Sequence, residues 1–147
     1  MTRPATAQDA IEAIEVVRQS IAVLCIPDHL NDKATLDRWL GNKKPDSFET
    51  WISNPENFFA VEEVSGRVKG VGLLHISGEL RLFYVAPGHE RKGLGRNIHA
   101  LLLARAREWG LPKVHLESTS VARPFYESLI CIVSRLPCIT MKLRICC

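Results

Sequence analysis

The residues best suited to chemistry form the stretch Glu90-Arg91-Lys92-Gly93-Leu94-Gly95, where two glycines and a basic cluster open an amphipathic helix. A helix N-terminus presents unpaired N–H groups and a partial positive charge. Glycines just before it let phosphate oxygens approach the backbone. Arg91, Lys92 and Arg96 add charge-assisted donors, so the turn suits a pyrophosphate. The same pattern also fits a tight strand-to-helix turn with solvated basic side chains. Two other phosphate turns are excluded. A Rossmann turn needs a third glycine, and Ile98 stands there. A Walker loop ends in Gly-Lys-Ser/Thr, which the chain lacks.

Other polar residues sit where elements begin or end. Glu79 starts the strand that leads into the glycine turn, and His75 precedes it. Asp28 and His29 follow Pro27, where either could orient a ligand or mark a helix boundary. Ser118 and Thr119 end a strand, where they could contact a ligand or cap the next helix. Tyr126 lies on a short helix, where the plain reading is a core tyrosine with one satisfied hydroxyl.

The positioning elements follow from periodicity. Met1 to Ala5 is expected as a short edge strand, since an edge tolerates Pro4. Thr6-Ala7-Gln8-Asp9 resembles a capping box. Ile11, Ile14, Val17 and Ile21 behind it predict a helix from Ala7 into the low twenties. A second helix is expected over Leu36, Trp39 and Leu40, and a short third over Phe48, Trp51 and Ile52. The period then changes to that of strands over Phe58–Val64, Val68–Ile76 and Glu79–Val85, joined by Ser65-Gly66 and Ser77-Gly78 turns. Alternation along the last strand would put Glu79, Arg81, Phe83 and Val85 on one face. A helix with Ile98, Leu101, Leu102 and Trp109 follows, closed by Gly110 and Pro112. Then come a strand, Val114–Ser118, a helix, Ala122–Leu129, and two short apolar strands, Ile130–Ser134 and Cys138–Leu143. The reading is one mixed α/β domain over 1–147, with a largely antiparallel central sheet flanked by helices.

Composition narrows the function classes. The 147 residues carry a formal net charge of only +3, without the basic stripe and stacking aromatics of a nucleic-acid binder. No apolar run is long enough for a bilayer, and Met1-Thr2-Arg3-Pro4 lacks a signal peptide's apolar stretch, so the expected compartment is the cytoplasm. The five cysteines form no C-x-x-C pair and stand at no zinc-ligand spacing from the histidines, so no metal is expected. Four of them, Cys131, Cys138, Cys146 and Cys147, crowd the tail.

Three segments carry a resemblance. Val85-Ala86-Pro87 followed by Gly93-Leu94-Gly95 looks like motif A of the GNAT acetyltransferase superfamily. Arg3-Pro4-Ala5-Thr6 through Asp9-Ala10 resembles the opening of small bacterial members, and Ala122-Arg123-Pro124-Phe125-Tyr126-Glu127 resembles their motif B helix. The order matches up to about Leu129. Glu90 departs from the family's usual Gln or Arg, and Ile130-Cys131 stand where Gly and an aromatic are usual.

The resemblance implies an acetyl-CoA-dependent N-acyltransferase acting on a small-molecule or N-terminal primary amine, without nucleic acid or membrane as partner. By resemblance, the pantetheine arm lies between Leu82–Val85 and Val114–Ser118, with backbone groups near Tyr84 and Val85 bonding it. Amides from Arg91 to Arg96, through Lys92, Gly93, Leu94 and Gly95, hold the pyrophosphate, and Ser118 contacts the arm. Tyr126 is the implied general acid for the leaving thiolate, and Glu79 the implied base. The alternative is a non-catalytic module that binds coenzyme A or has degenerated, which Glu90 and the odd tail favour. Members usually end in two further antiparallel strands. A hairpin over the tail, packed on the strand with Val114–Glu117, is therefore expected, with an exposed edge that a second copy could pair to make a homodimer.

Overall fold

The computed structural model describes residues 1–24, 32–34, 37, 41, 44–118 and 138–143. The chain runs β1 (Thr2–Pro4), a 3-10 turn (Ala7–Asp9), α1 (Ala10–Leu24), α2 (Pro45–Ser53), β2 (Asn57–Val64), β3 (Arg67–His75), β4 (Glu79–Val85), α3 (Leu94–Glu108), β5 (Lys113–Ser118) and β6 (Cys138–Leu143). The six strands form one sheet in the order β1-β2-β3-β4-β5-β6. Pairs from β1 to β4 are antiparallel, while β4–β5 and β5–β6 are parallel. The expected helices over Leu36–Leu40 and Ala122–Leu129, and the expected strand Ile130–Ser134, lie outside the described residues.

Two cores sit on opposite faces of the sheet. On one, α1 and α2 cover Phe59, Val61, Val71, Leu73 and Leu82. Pro45 at the first turn suits the start of α2. Phe48 of α2 is fully buried and lies 5.0 Å from Trp51 and 5.7 Å from Phe59 between ring centres. On the other face, α3 packs Ile98, Leu102, Leu103 and Ala106 against Phe58, Ala60, Leu74, Leu80 and Val114.

Arg3 ties the first strand to the first helical turn. Its guanidinium donates to both carboxylate oxygens of Asp9 at 2.8 Å and to Glu63. Asp9 also accepts the Thr6 N–H at 2.7 Å, the half of a capping box that the sequence suggested. The Arg3 bonds hold the Asp9 carboxyl down at about 2.

One sequence expectation is met and another needs correction. The tail strand Cys138–Leu143 is present and packs on β5 as expected, and it runs parallel to β5. A parallel neighbour requires a long crossover, and residues 119–137 are enough chain for one. The correction concerns β4. Leu73 faces Leu82 and Leu74 faces Leu80, so Arg81 is an extra residue in a β-bulge. Leu80 then joins the α3-side core and Leu82 the α1-side core, although they are two residues apart. The bulge breaks the alternation that would have put Glu79 on a face with Phe83 and Val85.

Candidate functional site

The cleft begins where two parallel strands part. β4 and β5 share two register pairs, Glu79 with His115 and Leu80 with Leu116. From Arg81 to Val85, β5 supplies no further partner, so the strands diverge toward the end of β4 that feeds the glycine turn. Tyr84 is half-buried against the α1-side core, and Val85 is half-buried at the strand's end. Ser118 ends β5 on the other side of the opening.

The turn from Ala86 to Gly93 contains three left-handed residues. Gly88, Arg91 and Gly93 have φ of 84°, 59° and 87°. Gly93 is the N-cap of α3. Among the described residues a Cβ there would meet no atom within 4 Å, so the backbone conformation is what calls for glycine. The first intrahelical bond runs from Asn97 N–H to Gly93 O at 3.1 Å, and the amides before Asn97 are the ones a helix leaves unpaired. Arg91, Lys92 and Arg96 are exposed and make no ion pair among the described residues. Glu90 is exposed as well. These residues fit an anionic group such as a pyrophosphate.

Sequence reading missed what sets the position of α3. Gly70 and Gly72 of β3 lie directly beneath it. A Cβ on Gly72 would come 2.6 Å from Ile98 Cγ2 and 2.8 Å from Leu102 Cδ1, and one on Gly70 2.7 Å from Ile98 Cδ1. The glycines bring the helix close to the sheet. The signal was available, because Gly-Val-Gly inside a strand marks close approach of another element. Asn97 of α3 also donates to the buried Glu62 of β2 at 3.2 Å, which fixes the helix's first turn.

The candidate base and its neighbours lie at the far end of the cleft. Glu79 is adjacent to Leu80, which faces α3, so Glu79 alternates to the α1 face. Arg81 Nε lies 3.1 Å from Glu79 Oε2, in a half-exposed ion pair. His75 is hydrogen-bonded to Ser77 and faces Glu56. His99 of α3 is buried, and its Nε2 has no partner among the described residues. Burial holds the His99 imidazole down at about 4, hence neutral. Tyr126, Asp28, His29 and Thr119 lie outside the described residues. Among the described residues, no cluster of three His, Cys, Asp or Glu could hold a metal ion, and no helix is long and apolar enough to cross a membrane.

Solved structures share this architecture. A GCN5-related N-acetyltransferase from Rhodopseudomonas palustris aligns over 88% of this chain and 79% of its own, with a TM-score of 0.78 and 18% identity. The PaiA N-acetyltransferase from Thermoplasma acidophilum, solved in complex with coenzyme A, aligns over 88% and 87%, with a TM-score of 0.76 and 18% identity. A ribosomal-protein-alanine N-acetyltransferase from Brucella melitensis biovar Abortus 2308 aligns over 88% and 89%, with a TM-score of 0.57 and 18% identity. At these identities the likeness is one of fold. No curated protein matches the sequence. The model of the acetyltransferase (GNAT) family matches residues 26–129, most of the chain and the whole of the cleft and glycine turn, and the chain therefore belongs to that family.

Proposed function

We propose that the chain transfers an acetyl group from acetyl-CoA to a primary amine, on a small molecule or at a chain terminus, by direct attack on the thioester. The observation that carries this reading is the parting of β4 and β5 toward the left-handed N-cap of α3. A long thiol arm fits between parted strands, and its pyrophosphate fits a helix N-terminus flanked by Arg91, Lys92 and Arg96. In this reading amides from Arg91 to Arg96, including those of Gly93, Leu94 and Gly95, bind the pyrophosphate. Backbone groups at Tyr84 and Val85, and Ser118, bind the arm. Glu79 takes the proton an ammonium must lose before it can attack, and Tyr126 gives one to the leaving thiolate. Coenzyme A in the Thermoplasma protein supports the donor, and the name of the Brucella protein supports an amine acceptor.

The test is acetyl transfer followed by free-thiol release, over n-butylamine, glucosamine and a peptide with a free N-terminal alanine. Acetyl-CoA should also raise the melting temperature, since it binds the folded state. Gly93→Asp should abolish that rise, because it puts bulk and negative charge where phosphate approaches. Tyr126→Phe should lower kcat and spare the melting shift. A melting shift without transfer to any amine would favour the alternative of a non-catalytic coenzyme A-binding module.

A further inference from the structure

Three residues, Ile76, Ser77 and Gly78, connect β3 to β4, and Glu79 follows at once. Each of their backbone N–H groups is accounted for. Ile76 donates to Glu56 O at 2.8 Å, and Gly78 donates to His75 O at 2.9 Å. Ser77 donates to the His75 ring, at Nδ1, over 3.1 Å. Two of the three turn amides thus end on His75. The Ser77 hydroxyl also lies 2.8 Å from the same Nδ1. A nitrogen that accepts a backbone N–H carries no hydrogen, so the ring hydrogen is on Nε2 and the hydroxyl donates to Nδ1. Nε2 faces Glu56 Oε2 at 3.4 Å, and the His75 side chain is 15% exposed. The ring is therefore clamped between the turn and the start of β2.

The chain of Ser77, His75 and Glu56 has the composition of a nucleophilic triad, but it is not one. The lone pair that would take the Ser77 proton is already shared with the Ser77 amide. What the ring does hold is the shape of the turn. Gly78 is left-handed at φ 92°, and Leu74 pairs with Leu80, so His75 and Glu79 come next on either side of the turn. The path from the turn to the Arg81 bulge is only two residues, Glu79 and Leu80. Glu79 follows the turn without an intervening residue, so the turn sets one side of its position and the pairing with His115 of β5 sets the other.

We propose that His75 is a positioning residue for Glu79: its ring fixes the β3–β4 turn and thereby the entry of Glu79 onto the α1 face of the sheet. This rests on the reading of Glu79 as the base. The experiment compares His75→Asn with His75→Phe in the full chain, using whichever of the three amines above the parent acetylates fastest. An Asn carbonyl oxygen accepts the N–H two residues on, as an Asx-turn, and so replaces the ring's bond to Ser77. Phe fills the space and accepts nothing. His75→Phe should lower kcat about three- to tenfold, the worth of one hydrogen bond, with the acetyl-CoA melting shift unchanged. His75→Asn should restore most of that loss. Parental kcat in His75→Phe, or equal loss in both variants, would overturn the proposal. If His75→Phe does not fold, a folded His75→Asn with a protected Ser77 amide and a tenfold loss of kcat overturns it alone. A parent that acetylates none of the amines refutes the functional reading and this proposal with it, while a transferring parent leaves the His75 comparison as the sole test.

Discussion

Under α3 the sheet is smoothed by glycine, with Gly70 and Gly72 admitting Ile98 and Leu102 to within reach of the backbone. Under α1 and α2 it is filled by large side chains, with Phe48, Phe59 and Leu73 holding the helices off the strands. The first face carries the helix whose N-terminus is read as the phosphate site, and the second receives Glu79 after the bulge at Arg81. The difference teaches where tolerance lies. A glycine-lined contact has no side chain to repack, so it sets one helix position. An aromatic-filled contact derives its energy from area, so truncation costs it most while a small shift costs it little.

The largest effect should come from Phe48→Ala on the filled face. Removing a fully buried phenyl ring should cost about 3–5 kcal/mol in denaturant unfolding, with any protein that remains folded keeping its acetyl-CoA melting shift. Gly72→Val should cost about 1–3 kcal/mol for overpacking, because even its Cβ would come 2.6 Å from Ile98 Cγ2 and 2.8 Å from Leu102 Cδ1. It should nonetheless weaken the acetyl-CoA shift more than Phe48→Ala does, by moving α3. A Gly72→Val protein with a full shift would break the comparison.

The smallest effect is a pH dependence that separates the buried histidine from the Arg3 clamp. His99 is held neutral by burial, at about 4 in the folded chain against an ordinary 6.5. The unfolded chain therefore binds the extra proton between those values, and stability falls as pH drops from 6.5 to 4. His99→Leu should flatten the melting temperature over that window. Asp9 is held down to about 2 from an ordinary 3.8, by Arg3 first. Its contribution, on the order of 2 kcal/mol, is present above pH 4 and is lost as pH falls toward 2. Arg3→Leu should remove that lower slope and leave the His99 slope intact. Melting curves that fall equally in both windows for both variants would show that neither group is responsible.

The fold was legible wherever local pattern and tertiary role agree. The period-2 runs, the Ser65-Gly66 and Ser77-Gly78 turns and the Gly110 stop each act within a few residues, and β2, β3, β4 and α3 fall where those signals put them. The Gly93 turn was legible because a left-handed position such as that of Gly93 favours glycine on local backbone grounds alone. The role of Gly70 and Gly72 was written in the sequence but went unread, since a strand glycine means something only once the element above it is known.

Three features were decided by the tertiary structure alone. The Arg81 bulge has no residue signature, because the register depends on how Leu74 and Leu80 find each other across the hairpin, and one extra residue sends Glu79 to the other face. The direction of β6 depends on the path of its crossover, which apolar, β-branched residues cannot specify. The sequence places His75 just before Glu79, but which nitrogen accepts from Ser77 and which faces Glu56 follows only from folding β2 against β3. The sequence by itself determined the elements, the glycine turn and the family's order of motifs, because those rest on contacts between near neighbours. The tertiary structure decided faces, directions and partners, because those rest on contacts between residues far apart in the chain.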